Sequence, residues 1–193
     1  MRKAKLSRTT SETSIALSLN LDGTGKSKVE TTIPFLDHML TLFSRHGLID
    51  LEVKSSGDTN VDYHHLVEDV GICLGDALKK ALGDKKGISR YGSATVPMDE
   101  TLCSVDLDIS GRPYLVFNAD FNRKIKDFDP NIFSDFFKAF TDRAEIALHV
   151  NIRYGRNNHH KAEAVFKAFG LALSRAVSFN SRIRGVPSTK GKL

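Results

Sequence analysis

The chain is written twice. His64-His65-Leu-Val-Glu68 returns 95 residues later as His159-His160-Lys-Ala-Glu163, and the likeness spreads outward from both copies. Segment 12–23, opening Glu12-Thr13 and closing at Gly23, aligns with 100–111, opening Glu100-Thr101 and closing at Gly111. Segment 39–43 aligns with 136–140, and 49–53 with 146–150. Alternating apolar residues make the first and last of these strands, while the 39–43 pair has helical spacing. A further strand fits 26–31 and 112–118. The HHxxE motif opens a helix that closes each unit. Its apolar stripe is Leu66, Val70, Leu74, Leu78 and Ala81 in one copy and Val165, Phe169, Leu173 and Ala176 in the other. Each half therefore reads strand, strand, helix, strand, helix. Helices with one apolar stripe should cover one face of a four-stranded sheet, so the expected fold is α+β: two such sheets with the helices packed between them. The units are 1–90 and 91–193, fused into one compact domain and joined through 83–98, which holds GDKKG and a proline.

Composition narrows the class. A chain of 193 residues, 40% apolar, suffices for one domain or two small fused ones. A net charge of +5 suits an anionic small molecule and does not call for nucleic acid. No apolar run approaches the roughly 20 residues of a membrane helix. MRKAKLSRTT has no apolar stretch behind its charges, so export is not expected. Cys73 and Cys103 sit in apolar patterns as buried thiols, and a reducing, cytoplasmic setting fits.

The repeated motif carries the chemistry. Helix positions three and four apart share a face, so Glu68 can approach His64 or His65. The two histidines diverge by about 100° around the axis, which suits two ions better than one. In the repeat His38 falls opposite Asp135, another residue able to ligate a metal. Each half then offers a set of four: His38, His64, His65 and Glu68, and Asp135, His159, His160 and Glu163. Mixed imidazole and carboxylate donors suit manganese, iron or zinc, and the lack of cysteine argues against structural zinc. The plain alternative is polar residues facing solvent at helix N-termini; duplication in register weighs against it. His149, in a strand, and His46, at a helix end, read as structural. Arg90, Arg112 and Ser188-Thr189-Lys190 would suit a phosphate, although as residues alone they read better as a basic surface and a frayed tail. There is no Walker motif. The inverted zinc-protease pattern fails at Asp69 and Ala164.

The segments FLDHML (35–40), DYHHLVEDVG (62–71), MDET (98–101), DISGRPYLVF (108–117), GRNNHHKAEAVFKAFG (155–170) and VPSTKG (186–191) together resemble the imidazoleglycerol-phosphate dehydratase family of histidine biosynthesis, over nearly the whole chain. The resemblance implies a ribosomal-S5-domain-2-like fold in duplicate, two Mn²⁺ per active site, and a homo-oligomeric shell of 24 subunits with sites at subunit interfaces. Family ligands fall on His38, His64, His65, Glu68, His159, His160 and Glu163. At Asp135 the family often has histidine, which a carboxylate could replace. Substrate contacts carried over are Glu12, His46, Arg90, Arg112, Lys167, Ser188 and Lys190, with Thr189 in the same turn and His38, His64, His65 and His159 beside the imidazole. Arg90, Arg112, Ser188 and Lys190 would hold the phosphate. The implied reaction dehydrates imidazole glycerol phosphate to imidazole acetol phosphate, two metals favouring an imidazolate that expels hydroxide. Glu12 is the candidate proton carrier, with Glu68 or Glu163 in reserve. Two rival readings are a metal-binding shell without turnover and an RNA-binding module. The second lacks stacking motifs, and Trp is absent.

Overall fold

A computed structural model describes residues 2–193. Strand β2 (Thr13–Asn20) buries Thr13, Ile15, Leu17 and Leu19 and turns the residues between them outward. Strand β4 (Asp50–Gly57) does the same with Leu51, Val53 and Ser55. The two pair antiparallel, Thr13 opposite Gly57. β1 (Lys3–Thr9) joins β2 antiparallel, and β3 (Ser27–Glu30) lies parallel to β4 with Val29 opposite Val53. A parallel pair needs a crossover. Helix α1 (Pro34–Gly47) supplies it, starting at a proline whose missing N–H costs nothing there. Helix α2 (His64–Leu82) follows β4. The second half repeats the plan with β5 (Tyr91–Met98), β6 (Thr101–Asp108), β7 (Tyr114–Asn118), α3 (Phe133–Ala144), β8 (Ala147–Tyr154) and α4 (Asn158–Val177). Sheet orders are β1-β2-β4-β3 and β5-β6-β8-β7.

The expected α+β architecture of two four-stranded sheets is present, with one correction to the elements. Each unit has a leading strand that the apolar pattern does not announce. Of apolar residues β1 turns only Ala4 and Leu6 inward, with Arg8 on the same face reaching the buried Asp69 and Lys3 and Lys5 outside. β5 occupies the second half of the expected joining segment, and its Pro97 is tolerated because β5 is an edge strand.

The helices lie between the sheets and pair across the halves: α1 packs on α4, and α2 on α3. Phe133, Phe136, Phe137, Phe140, Phe166 and Phe169 are buried at this junction, and Phe43 stacks on Phe169 at 4.8 Å. Glycine sets the approach. A Cβ on Gly170 would sit 2.5 Å from the carbonyl oxygen of Phe43, and one on Gly75 would sit 2.6 Å from that of Phe140. Gly75 and Gly170 are repeat equivalents, as are Phe43 and Phe140, so the same contact is made twice. Cys73 and Cys103 are unpaired and buried, and burial pushes their thiols up to about 11 and about 12. No helix of the described residues is long and apolar enough to cross a membrane.

Glycine to alanine inside a helix ordinarily stabilises by about 1 kcal/mol. Gly170→Ala should do the opposite, lowering stability in urea by roughly 1–3 kcal/mol through overpacking against Phe43. An unchanged or raised midpoint would show that α1 can move away freely.

Candidate active site

Both HHxxE motifs sit at helix starts, the second under the side-chain cap Asn157 and the first behind Asp62, one residue ahead of its N-cap Tyr63. Asp62 accepts from the His64 N–H at 2.7 Å, and Asn157 accepts from the His159 N–H at 2.9 Å. The α1–α4 contact carries His38 to the second motif. Glu163 Oε1 lies 3.0 Å from His38 Nε2 and 3.0 Å from His159 Nε2, while Lys167 Nζ donates to Glu163 Oε2 at 2.6 Å. Burial disfavours the charged form of Glu163. Hydrogen bonds from Lys167, His38 and His159 outweigh that and pull its carboxyl down to about 2. Donor atoms of His38, His159 and Glu163 lie within 4.8 Å of one another. Two imidazoles and a carboxylate so close fit a manganese-, iron- or zinc-type ion.

The α2–α3 contact builds the counterpart. His64 Nε2 is 3.7 Å from Glu68 Oε2, and its Nδ1 is 3.9 Å from Asp135 Oδ2. These are looser, longer than hydrogen bonds. The grouping expected from the repeat is thereby corrected. His38 belongs with His159 and Glu163, and Asp135 with His64 and Glu68, because α1 and α3 each pack on a helix of the other half.

His65 and His160 turn away from these clusters. His65 Nδ1 is 3.0 Å from Asp58 Oδ2 and 3.8 Å from Glu12 Oε2, and these three form a second convergent group. His160 Nδ1 is 2.7 Å from Glu100 Oε2. Hydrogen bonding to Asp58 raises the His65 pKa, and hydrogen bonding to Glu100 raises that of His160. Glu12 and Glu100 are repeat equivalents used differently. Glu100 Oε1 accepts from the backbone N–H groups of Arg156 and Asn157, so its carboxyl lies far below the usual range, with the His160 bond as the largest cause. The Glu12 carboxylate is exposed, and no hydrogen bond among the described residues claims it.

The phosphate candidates are divided. Arg90 donates from Nε and Nη2 to Asp108 at 2.7 and 3.1 Å and from Nη1 to the carbonyl of Pro187 at 2.9 Å, which ties the C-terminal tail to the sheet. Ser188, Thr189 and Lys190 form the turn just beyond, where Ser188 Oγ accepts from the Lys190 N–H at 3.2 Å. Arg112 lies beside Ser110, whose carbonyl is 3.4 Å from Nη1. His46, in the last turn of α1, has its pKa lowered by partial burial and by the charge of Lys167. His149 is on the outer face of the second sheet, stacked on Tyr114.

Sequence reasoning missed several neighbours. Asp58 and Glu100 escaped it, though the register of Glu100 with Glu12 was a usable signal. Also missed was the 119–131 loop, which grips both motifs: Tyr63 Oη donates to Asp127 at 2.7 Å, and Asn158 Nδ2 donates to the Arg123 carbonyl at 2.6 Å. Between this loop and α2 opens a cavity of about 630 Å³ reaching His64 and Asp135.

Residues 31–173 match the family model described as imidazoleglycerol-phosphate dehydratase. The chain belongs to the imidazoleglycerol-phosphate dehydratase family. It is 62% identical to the imidazoleglycerol-phosphate dehydratase of Syntrophus aciditrophicus, over 100% of this chain and 99% of the relative. It is 58% identical to that of Geobacter sulfurreducens over the same shares. The crystal structure of the Staphylococcus aureus imidazoleglycerol-phosphate dehydratase aligns with a TM-score of 0.84 and 40% identity, over 92% of this chain and 99% of that one. The Pyrococcus furiosus structure aligns at 0.85 and 34%, over 97% and 100%. Membership makes the chain a hydro-lyase of histidine biosynthesis. For an imidazoleglycerol-phosphate dehydratase the Arg90 tether has a direct readout. Arg90→Ala should free the tail, so that trypsin cuts after Arg182 and Arg184 several-fold faster while the rest of the fold stays resistant. Unchanged cleavage would mean that the tail is held by other contacts.

Proposed function

We propose that this chain removes water from imidazole glycerol phosphate to give imidazole acetol phosphate, with two divalent ions, Mn²⁺ foremost, held by the histidine and carboxylate clusters. The observation that carries the reading is the convergence of His38, His159 and Glu163 within 4.8 Å, one donor from the first half and two from the second. Bound ions would supply Lewis-acid stabilisation of negative charge on the substrate's imidazole ring.

The reaction removes hydroxyl from the carbon attached to the ring and a proton from the next carbon. The resulting enol tautomerises to the ketone. A proton carrier must therefore be unencumbered and close to the metal ligands. Glu12 meets both demands, 3.8 Å from His65 and free of hydrogen bonds among the described residues. Glu163, bound by Lys167 and two histidines, is better suited to holding a cation, and Glu68 faces His64 more loosely, at 3.7 Å. Arg90, Arg112, Ser188, Thr189 and Lys190 are the groups for the phosphate, with Arg90 also fixing the turn that carries Ser188, Thr189 and Lys190.

The single chain leaves these donors open. Side chains of His38, His64 and His159 are 43%, 46% and 42% exposed. A homo-oligomer in which a neighbouring copy covers and completes each site accounts for this, and a shell of 24 cytoplasmic subunits is the assembly proposed.

Protein stripped of metal should not turn over imidazole glycerol phosphate, and added Mn²⁺ should restore it; full activity after stripping would remove the metal from the mechanism. His159→Ala should abolish that restored turnover. Lys190→Ala should instead raise KM roughly ten- to hundred-fold, as expected for a lost charged hydrogen bond, with kcat little changed. A KM equal to that of the unaltered protein would exclude the tail as a phosphate clamp.

A further inference from the structure

Metal capture depends on which imidazole nitrogen carries the proton, and the structure controls this for the second histidine of each motif. We propose that Glu100 is a positioning residue that selects the metal-ready tautomer of His160. The inference rests on the reading above that His160 is a metal ligand.

Glu100 lies between the start of β6 and the turn that leads into α4. Its Oε1 is the acceptor for the N–H of Arg156 at 3.0 Å, the N–H of Asn157 at 2.7 Å and the hydroxyl of Thr101 at 3.3 Å. Its Oε2 faces His160 Nδ1 at 2.7 Å. A carboxylate can only accept, so Nδ1 must be the donor. A neutral imidazole has one N–H, which leaves the Nε2 lone pair free. That nitrogen points toward the open side, with Asp99 Oδ2 3.8 Å away on a side chain 72% exposed. Carboxylates that orient metal-ligating histidines in this way ordinarily matter ten- to a hundred-fold in affinity.

The backbone contacts make the device directional. In Glu100→Gln the amide oxygen is the only acceptor for the Arg156 and Asn157 N–H groups, so the NH₂ is forced toward His160. Nδ1 must then accept, the proton moves to Nε2, and the ligating position is blocked. In the first half Asp58 faces His65 without any backbone N–H on its side chain. Asp58→Asn can therefore turn its oxygen toward His65 and keep the tautomer. The two isosteric changes should differ sharply, which a general loss of negative charge would not produce.

The test is Mn²⁺ titration of the metal-stripped full chain, unaltered and as Glu100→Gln, Asp58→Asn and His160→Ala. It is joined by long-range ¹H–¹⁵N spectra of the metal-free proteins at about pH 8.5, above the ordinary histidine pKa. We expect the Nδ1–H tautomer for His160 in the unaltered protein and the Nε2–H tautomer in Glu100→Gln. Mn²⁺ affinity should fall ten- to a hundred-fold in Glu100→Gln and at most a few-fold in Asp58→Asn. An Nε2–H tautomer in the unaltered protein would overturn the proposal, even if the variant fails to fold. Unaltered affinity in Glu100→Gln, beside a loss in His160→Ala, would overturn it while sparing the ligand reading. Unaltered affinity in His160→Ala would instead remove His160 as a ligand, and the proposal with it.

Discussion

Two glycines carry the architecture. Gly75 and Gly170 let the backbone of one helix touch the backbone of another, carbonyl against Cα, at equivalent places in the two halves. Any side chain there would hold the helices apart by about the width of a methyl group. His38 Nε2 and Glu163 Oε1, now 3.0 Å apart across α1 and α4, would then separate beyond the span of one ion's coordination. The geometry of the histidine clusters is thus inherited from packing several turns away, deep in a phenylalanine-rich layer where substitutions are felt over a distance because little space is free.

Duplication supplies a scaffold, and divergence then assigns the tasks. The equivalent positions His38 and Asp135, and Glu12 and Glu100, have separated in chemistry or in use while the backbone around them stayed alike. The cluster centred on Glu163, with Lys167 behind it, is compact, and the one around His64 is looser, with an adjoining cavity.

The fold was largely legible because the same pattern appears twice, and each copy checks the other. β2, β4 and the four helices announce themselves by period. β1 and β5 do not, since an edge strand needs to bury only one or two residues, and Ala4 with Leu6 is a weak signal. The residue types of the candidate site were legible too, but not their partnerships. Helical spacing relates residues within one element, whereas the meeting of His38 with Glu163 comes from α1 packing on the opposite half. Asp58 was beyond reach for another reason: it lies between β4 and α2, outside the segments that the repeat aligns. The Arg90 tether to Pro187 depends on the path of an irregular tail, which no periodicity describes.

The helix layer also speaks to origins. Every helix rests on its own sheet with one flank and on a helix from the other half with the other. A single unit alone would therefore leave a wide apolar flank in water. An ancestor half as long would have needed a twin, and each donor cluster would have been shared between two chains before one chain came to own it.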